Sequence, residues 1–255
     1  MTPALALGVS LAAALAAWSL RALTRSGALA ATAVGATVLW ATGWPGAAVL
    51  GMFFLPSTLL GRVAAARPRA GDVRGERRDA VQVLANGAAA AAGACAEFRA
   101  PGLGFWMLTG ALAAAAADTW ATSLGALSPR EPRALLGGQA VPRGTSGAVS
   151  LLGTLGGIAG AGSVAGTAAL LARDPALLRA ALLLGVGGMF LDSLLGAALQ
   201  GRFRCPVCAT PSERRRHGCG TRTELVGGWR WLDNDAVNAV ATTLTALAAG
   251  LVWWL

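Results

Sequence analysis

The chain has 255 residues, 55% of them hydrophobic and only 13% charged, with a net charge of +9 and a mean hydropathy of +0.58. A water-soluble domain carries about a quarter charged residues, so a soluble globular protein is excluded. The basic excess is all arginine; it falls between apolar runs and not along an amphipathic face, which points to a membrane surface and away from nucleic acid.

A helix needs about 20 mostly apolar residues to cross hydrocarbon. In chain order, eight segments approach that requirement: Pro3 to Leu20, Gly27 to Gly43, Gly46 to Gly61, Ala80 to Ala96, Gly102 to Leu127, Ala148 to Ala172, Ala176 to Gln200 and Asp235 to Leu255. The first lacks a basic leader and is followed by Arg21, so it reads as a span and not a signal peptide. The fourth is the least regular, because Gln82, Asn86 and Cys95 interrupt it, and a half-buried or re-entrant helix is an alternative there. Lone Cys95 reads as a packed apolar residue. The expected fold class is therefore all-α, a polytopic bundle of about eight spans forming a single transmembrane domain over residues 1–255.

The arginines test this segmentation independently. Eighteen of the 21 fall in four alternate gaps: Arg21 and Arg25, Arg62 to Arg78, Arg130 to Arg143, and Arg202 to Arg230. Only Arg99, Arg173 and Arg179 lie in the remaining gaps. A wrong helix count would scramble the alternation. The positive-inside rule then puts the four basic loops in the cytoplasm and both termini outside, in a membrane of bacterial inner-membrane type.

Ionisable groups inside a span are costly and mark functional sites. Asp118 lies late in the fifth segment and Asp192 late in the seventh. Asp233, Asn234 and Asp235 open the last helix, with Asn238 one turn on, and Asn86 lies in the fourth segment. Asp118 or Asp192 as a structural partner of an arginine is one alternative, and Asp233 as a simple helix cap is another. By the proposed topology all three segments have cytoplasmic ends, so Asp118, Asp192 and Asp235 can share a pocket open to that side. Hard oxygen ligands of this kind suit Mg²⁺, which takes one or two carboxylates together with substrate phosphates.

The loop Val141-Pro142-Arg143-Gly144-Thr145-Ser146-Gly147 supplies the complement and is expected to end where the sixth helix begins. Gly144 and Gly147 allow close backbone approach, Thr145 and Ser146 offer hydroxyls, and Arg143 is a bidentate phosphate donor. A helix N-terminus beside them would add free N–H groups. This is a phosphate cradle without a Walker lysine, since the chain has none; a plain Ser/Thr helix cap is the alternative.

Three of the four cysteines and the only histidine fall within fifteen residues: Cys205-Pro206-Val207-Cys208, then His217-Gly218-Cys219. C-x2-C followed by H-x-C provides four ligands, enough to close a tetrahedral Zn²⁺ site of structural character within a cytoplasmic loop spanning residues 201–234.

These stretches together resemble the phytyl-phosphate kinase family, a group of multi-span membrane proteins. The resemblance rests on Gln82-Val83-Leu84-Ala85-Asn86-Gly87, Ala117-Asp118-Thr119-Trp120-Ala121-Thr122, the loop from Val141 continued to Leu151, Leu191-Asp192-Ser193-Leu194-Leu195-Gly196, and Trp231-Leu232-Asp233-Asn234-Asp235-Ala236-Val237-Asn238, in that order along nearly the whole chain. It implies phosphorylation of an isoprenoid monophosphate to its diphosphate by a nucleoside triphosphate, CTP or ATP. The implied assignment puts Asp118, Asp192 and Asp235 on Mg²⁺-nucleotide and Arg143, Thr145 and Ser146 on phosphate, with Asn86, Asn234 and Asn238 orienting them. Partners would be the bilayer and an isoprenoid phosphate lipid, with a homo-oligomer compatible with the small residues along the helices. A lipid-phosphate cytidylyltransferase would use the same groups, and a transporter or flippase with intramembrane aspartates is the competing reading from another class.

Overall fold

The computed structural model describes residues 1–65, 77–212 and 215–255. Arg67, Arg69, Arg74 and Arg214, counted above among the basic loops, lie outside those residues. The helices are α1 (Pro3–Ser19), α2 (Arg25–Ala65), α3 (Ala80–Ala94), α4 (Leu103–Gly125), α5 (Leu151–Ala172), α6 (Pro175–Ala198) and α7 (Asn234–Trp253), with a 3₁₀ turn at Cys95–Phe98 after α3.

The 41 residues of α2 are two helices joined at a kink, because Gly43 adopts φ 67 and ψ −161 and Pro45 opens the second half. The halves run back along one another. Arg62, near the end of the second, donates to the Leu20 carbonyl beside the start of the first. Each of the eight apolar segments thus lies on its own stretch of helix. By length and composition α2, α5, α6 and α7 qualify as membrane spans among the described residues, and α1 is a shorter apolar helix.

The packing inverts that of a soluble protein. Leu29, Leu55, Leu170, Leu183 and Leu251 are exposed, while the interior is rich in alanine and glycine beside a few large side chains such as Leu108 and Leu112. Ala111 to Ala117 on α4 are buried, and α4 packs against α2, α3, α5, α6 and α7. Hydrocarbon solvates leucine as well as a protein core does, so helices associate through backbone proximity, which small side chains permit. On α5, a Cβ at Gly153 would come 2.9 Å from the Ala121 carbonyl oxygen, and one at Gly160 would come 2.7 Å from that of Ala116.

The chain is mostly helical, as expected, and two small antiparallel sheets lie outside the helices among the described residues. Strands β1 (Arg133–Ala134) and β2 (Ala148–Val149) pair with Arg133 opposite Val149. Strands β3 (Arg202–Arg204), β4 (Pro211–Ser212) and β5 (Glu224–Gly227) form a sheet in the order β4-β3-β5. The start of the sixth segment is corrected. Residues 148–149 are claimed by the β1 pairing, Ser150 caps the helix through Gly153 N–H at 3.1 Å, and α5 begins at Leu151 rather than Ala148.

Both sheets and the starts of α3, α5 and α7 lie at one end of the bundle. There the backbone of Arg78 bonds to Ala22 and Thr24, at 3.0 Å each, tying the first and second basic connections together. At the opposite end Glu97 takes N–H bonds from Gly102 (2.7 Å) and Phe105 (3.1 Å), capping α4.

Candidate functional site

A cavity of about 430 Å³ opens at the end of the bundle that carries the basic connections. The helices deliver polar side chains to it from within about two turns of their ends. Asp118 comes from α4, Asp192 from α6, Asn234, Asp235 and Asn238 from α7, and Asn86 from α3. The β1–β2 hairpin contributes Arg143, Gly144, Thr145, Ser146 and Gly147 from above. Eleven residues singled out from five separated stretches of sequence therefore line one space. Deeper still, Asn86, Asp118, Asp192 and Asn238 surround a narrow recess whose walls are Ala114, Ala115, Gly188, Ala241 and Thr242.

Two polar atoms in this cavity are buried without a hydrogen-bond partner among the described residues: Asp192 Oδ2 and Arg143 Nε. A buried polar group left unpaired costs about 1–3 kcal/mol, more when charged. One orphan is an acceptor on a carboxylate and the other a guanidinium donor. The pair matches what a divalent cation and a phosphate oxygen would each satisfy, so the donor set fits Mg²⁺ held by carboxylates next to bound phosphate. The remainder of Arg143 is anchored, with Nη2 donating to the Pro129 carbonyl at 3.2 Å.

The hairpin loop holds its shape internally. The Thr145 hydroxyl donates to the Pro142 carbonyl at 2.7 Å, and Gly144 (φ 86) and Gly147 (φ 72) take the left-handed conformation. Gly147 lies directly on α6, where any Cβ would collide with Ala197. Gln200, buried just past α6, donates from Nε2 to Ser146 Oγ at 3.0 Å. The expected helix N-terminus beside the loop is instead separated from it by β2 and the Ser150 cap.

Several polar side chains near the cavity bond to the backbone of their own helices. Gln82 completes a capping box with Asp79, each side chain receiving the other's backbone N–H at 3.0–3.1 Å. Asn86 Nδ2 donates to the Gln82 carbonyl at 3.0 Å. Asp233 is the cap of α7, accepting from Ala236 N–H at 3.0 Å, which leaves Asp235, 9% exposed, for the cavity. Replacing Asp233 by Ala is expected to lower stability by about 1 kcal/mol, read as a lower thermal midpoint in detergent. An unchanged midpoint would remove the capping role.

Sequence reasoning missed Arg78, Ser57 and Gln200, which also line the cavity. The Arg78 guanidinium lies 5.5 Å from the Phe53 ring centroid and 5.7 Å from that of Phe54. Burial there lowers it to about 10, so it stays cationic at neutral pH. Ser57 accepts from the Trp120 indole at 3.1 Å. The one local signal was Asp79-x-x-Gln82, a helix start that places its neighbour Arg78 at the bundle's end.

Outside the cavity, one donor atom from each of Cys205, Cys208, His217 and Cys219 lies within 4.8 Å of all the others. The Cys219 thiol is lowered to about 6, first by its contact with the Thr221 hydroxyl and then by His217; Cys208 is raised to about 11, chiefly by hydrogen bonding with Cys219. Cys95 stays apart, half-buried, with Sγ donating to the Ala91 carbonyl at 3.5 Å.

Comparison with known proteins places this arrangement in a family. The family model described as "Integral membrane protein DUF92" matches residues 8–246. An uncharacterized membrane protein of Methanocaldococcus jannaschii is 31% identical over 184 residues, covering 71% of this chain and 76% of its own. Protein PGR of Arabidopsis thaliana is 29% identical over 262 residues, covering 91% of this chain and 89% of its own. No solved structure matches. The resemblance read from the five motifs is thereby borne out at the level of the family, and the chain belongs to the DUF92 family of integral membrane proteins.

Proposed function

We propose that the protein is a membrane-bound isoprenoid-monophosphate kinase that spans the membrane eight times and opens its cavity to the cytoplasm. The observation that carries this reading is the paired orphan in one cavity, Asp192 Oδ2 and Arg143 Nε, set among carboxylates from three helices and a glycine-bearing hairpin loop. The basic connections around the cavity favour its lying on the cytoplasmic side, where nucleotide is found. The exposed leucines and the adjacent bilayer suit a substrate with a long apolar tail and an ionised head.

Phosphoryl transfer asks for positioning and charge neutralisation more than for a covalent nucleophile. An oxygen of the lipid monophosphate attacks the γ-phosphorus of the nucleotide, and the bond from that phosphorus to the β,γ-bridging oxygen breaks. The lipid leaves as a diphosphate and the nucleotide as a diphosphate. Bound Mg²⁺ would neutralise phosphate charge, held by Asp118, Asp192 and Asp235. Arg143 and the Thr145 and Ser146 hydroxyls orient the transferred group, Arg78 adds fixed positive charge, and Asn86 and Asn238 steady the carboxylates. The acceptor phosphate is already ionised, so no strong base is needed.

Purified protein given phytyl or geranylgeranyl monophosphate with Mg²⁺ and either ATP or CTP is expected to yield lipid diphosphate and nucleoside diphosphate. A nucleotide-linked lipid with pyrophosphate would replace the kinase by a cytidylyltransferase. No turnover with any triphosphate, together with nucleotide-independent uptake into proteoliposomes, would replace it by a transporter.

A further inference from the structure

We infer that Cys205, Cys208, His217 and Cys219 hold one Zn²⁺ in a closed tetrahedral site, and that this ion fixes the cavity wall through Gln200. Cys205 Sγ lies 3.7 Å from Cys219 Sγ, and His217 Nδ1 lies 3.2 Å from Cys219 Sγ. Sulfurs about 2.3 Å from a tetrahedral zinc are about 3.8 Å apart, so the Cys205–Cys219 edge already matches such a site and the other donors lie within 4.8 Å of one another. A disulfide would require the first pair to close to about 2 Å.

The backbone is shaped around the same point. Cys208 N–H points at Cys205 Sγ at 3.4 Å, in a turn closed by Cys205 N–H on the Thr210 carbonyl at 3.0 Å. Ala209 takes φ 55 to complete that turn, a conformation costly for a residue with a Cβ and here imposed by the loop around the sulfurs. The second turn, at His217 to Gly220, closes through Gly220 N–H on the His217 carbonyl at 2.8 Å. Thr210 Oγ1 lies 3.2 Å from His217 Nε2, an outer-shell contact that turns Nδ1 toward the thiols. Three thiolates and one imidazole leave no open position, which makes the ion structural. Strands of two to four residues held around few buried side chains, chiefly Phe203 and Leu232, need such a staple.

The module reaches the cavity through short covalent and hydrogen-bonded links. Strand β3 starts two residues after Gln200, Trp229 N–H bonds the Leu199 carbonyl at 2.9 Å, and Gly201 N–H bonds that of Leu232 at 2.9 Å. Gln200 in turn holds Ser146 of the hairpin loop. Loss of the ion therefore loosens the sheet, then Gln200, then the loop. None of this depends on the kinase reading.

Elemental analysis of the purified full chain is expected to find about one zinc per chain, lost in Cys205→Ser and Cys219→Ser and kept in Cys95→Ser. Cobalt exchanged into the wild type is expected to give a thiolate-to-metal charge-transfer band. Stripping the metal from wild type with a strong chelator is expected to raise hydrogen exchange in residues 133–149 as well as 202–227. Metal-free wild type with freely reactive thiols, a Cys205–Cys219 disulfide, or iron in place of zinc would overturn the site. Zinc present but exchange over 133–149 unchanged on its removal would overturn the link to the cavity.

Discussion

Asp192→Asn is expected to reduce phosphoryl transfer at least a hundredfold while leaving the thermal midpoint unchanged or raised. The substitution keeps the shape of the side chain and removes its charge. Asp192 Oδ2 is buried with no partner among the described residues, and a second acid, Asp118, shares the same recess. Removing the acid relieves the burial of one ionisable group beside another, whereas removing a structural ion-pair partner would cost about 3–5 kcal/mol. The two roles therefore predict opposite signs of stability change, and one unfolding curve separates them. A hundredfold loss corresponds to about 2.7 kcal/mol of transition-state stabilisation, the size expected when a group that neutralises developing charge is deleted. Because Asp118 and Asp192 would act as a unit on one Mg²⁺-nucleotide, the double Asn variant is expected to lose little more than either single one. Wild-type turnover by Asp192→Asn, or a large fall in its midpoint, would remove Asp192 from the metal role.

Much of this arrangement was readable from the sequence because the bilayer leaves few choices. A run such as Leu151 to Ala172 must satisfy its backbone internally, so it is a helix. The break within α2 falls between the second and third apolar segments, where Gly43 takes a positive φ and Pro45 opens the next helix. Charged residues inside such runs are few enough to be found one by one, and alternate arginine-rich gaps already implied that Asp118, Asp192 and Asp235 belong to one end. What the sequence concealed depended on pairing between distant segments. Ala148 and Val149 are apolar enough to extend α5, and only Arg133 and Ala134, 14 or more residues earlier, draw them into a strand. Gln200 has no local signature, and Arg78 has only the helix start that follows it. Their presence in the cavity follows from where α6 ends and where the chain crosses from α2 to α3, positions fixed by the packed bundle. Asp233 took the helix-cap role that was open to it, and Gln82 completes a capping box, since a polar side chain in a helix's first turn satisfies the backbone before it serves a ligand.

Gly160→Ala is expected to destabilise the bundle by about 2 kcal/mol, whereas Gly166→Ala on the same helix is expected to be neutral or slightly stabilising. Both add one methyl group to α5, and both gain the same small helix preference of alanine over glycine. The difference lies in what the methyl meets. At Gly160 it would stand 2.7 Å from the Ala116 carbonyl oxygen and 3.0 Å from Trp120 Cγ, contacts with the backbone and ring of α4 that cannot rotate away. At Gly166 it would meet nothing within 4 Å. Overpacking of a close helix pair costs about 1–3 kcal/mol because the only relief is to move one helix off the other. Moving α5 off α4 also disturbs the frame of Asp118, which lies two residues beyond Ala116, so activity should fall along with stability at Gly160 and hold at Gly166. Thermal midpoints followed by intrinsic tryptophan fluorescence, with turnover measured on the same preparations, test both halves. Equal midpoints for the two variants would mean that α4 and α5 are not in backbone contact, and that the carboxylate of α4 is positioned by something other than this glycine face.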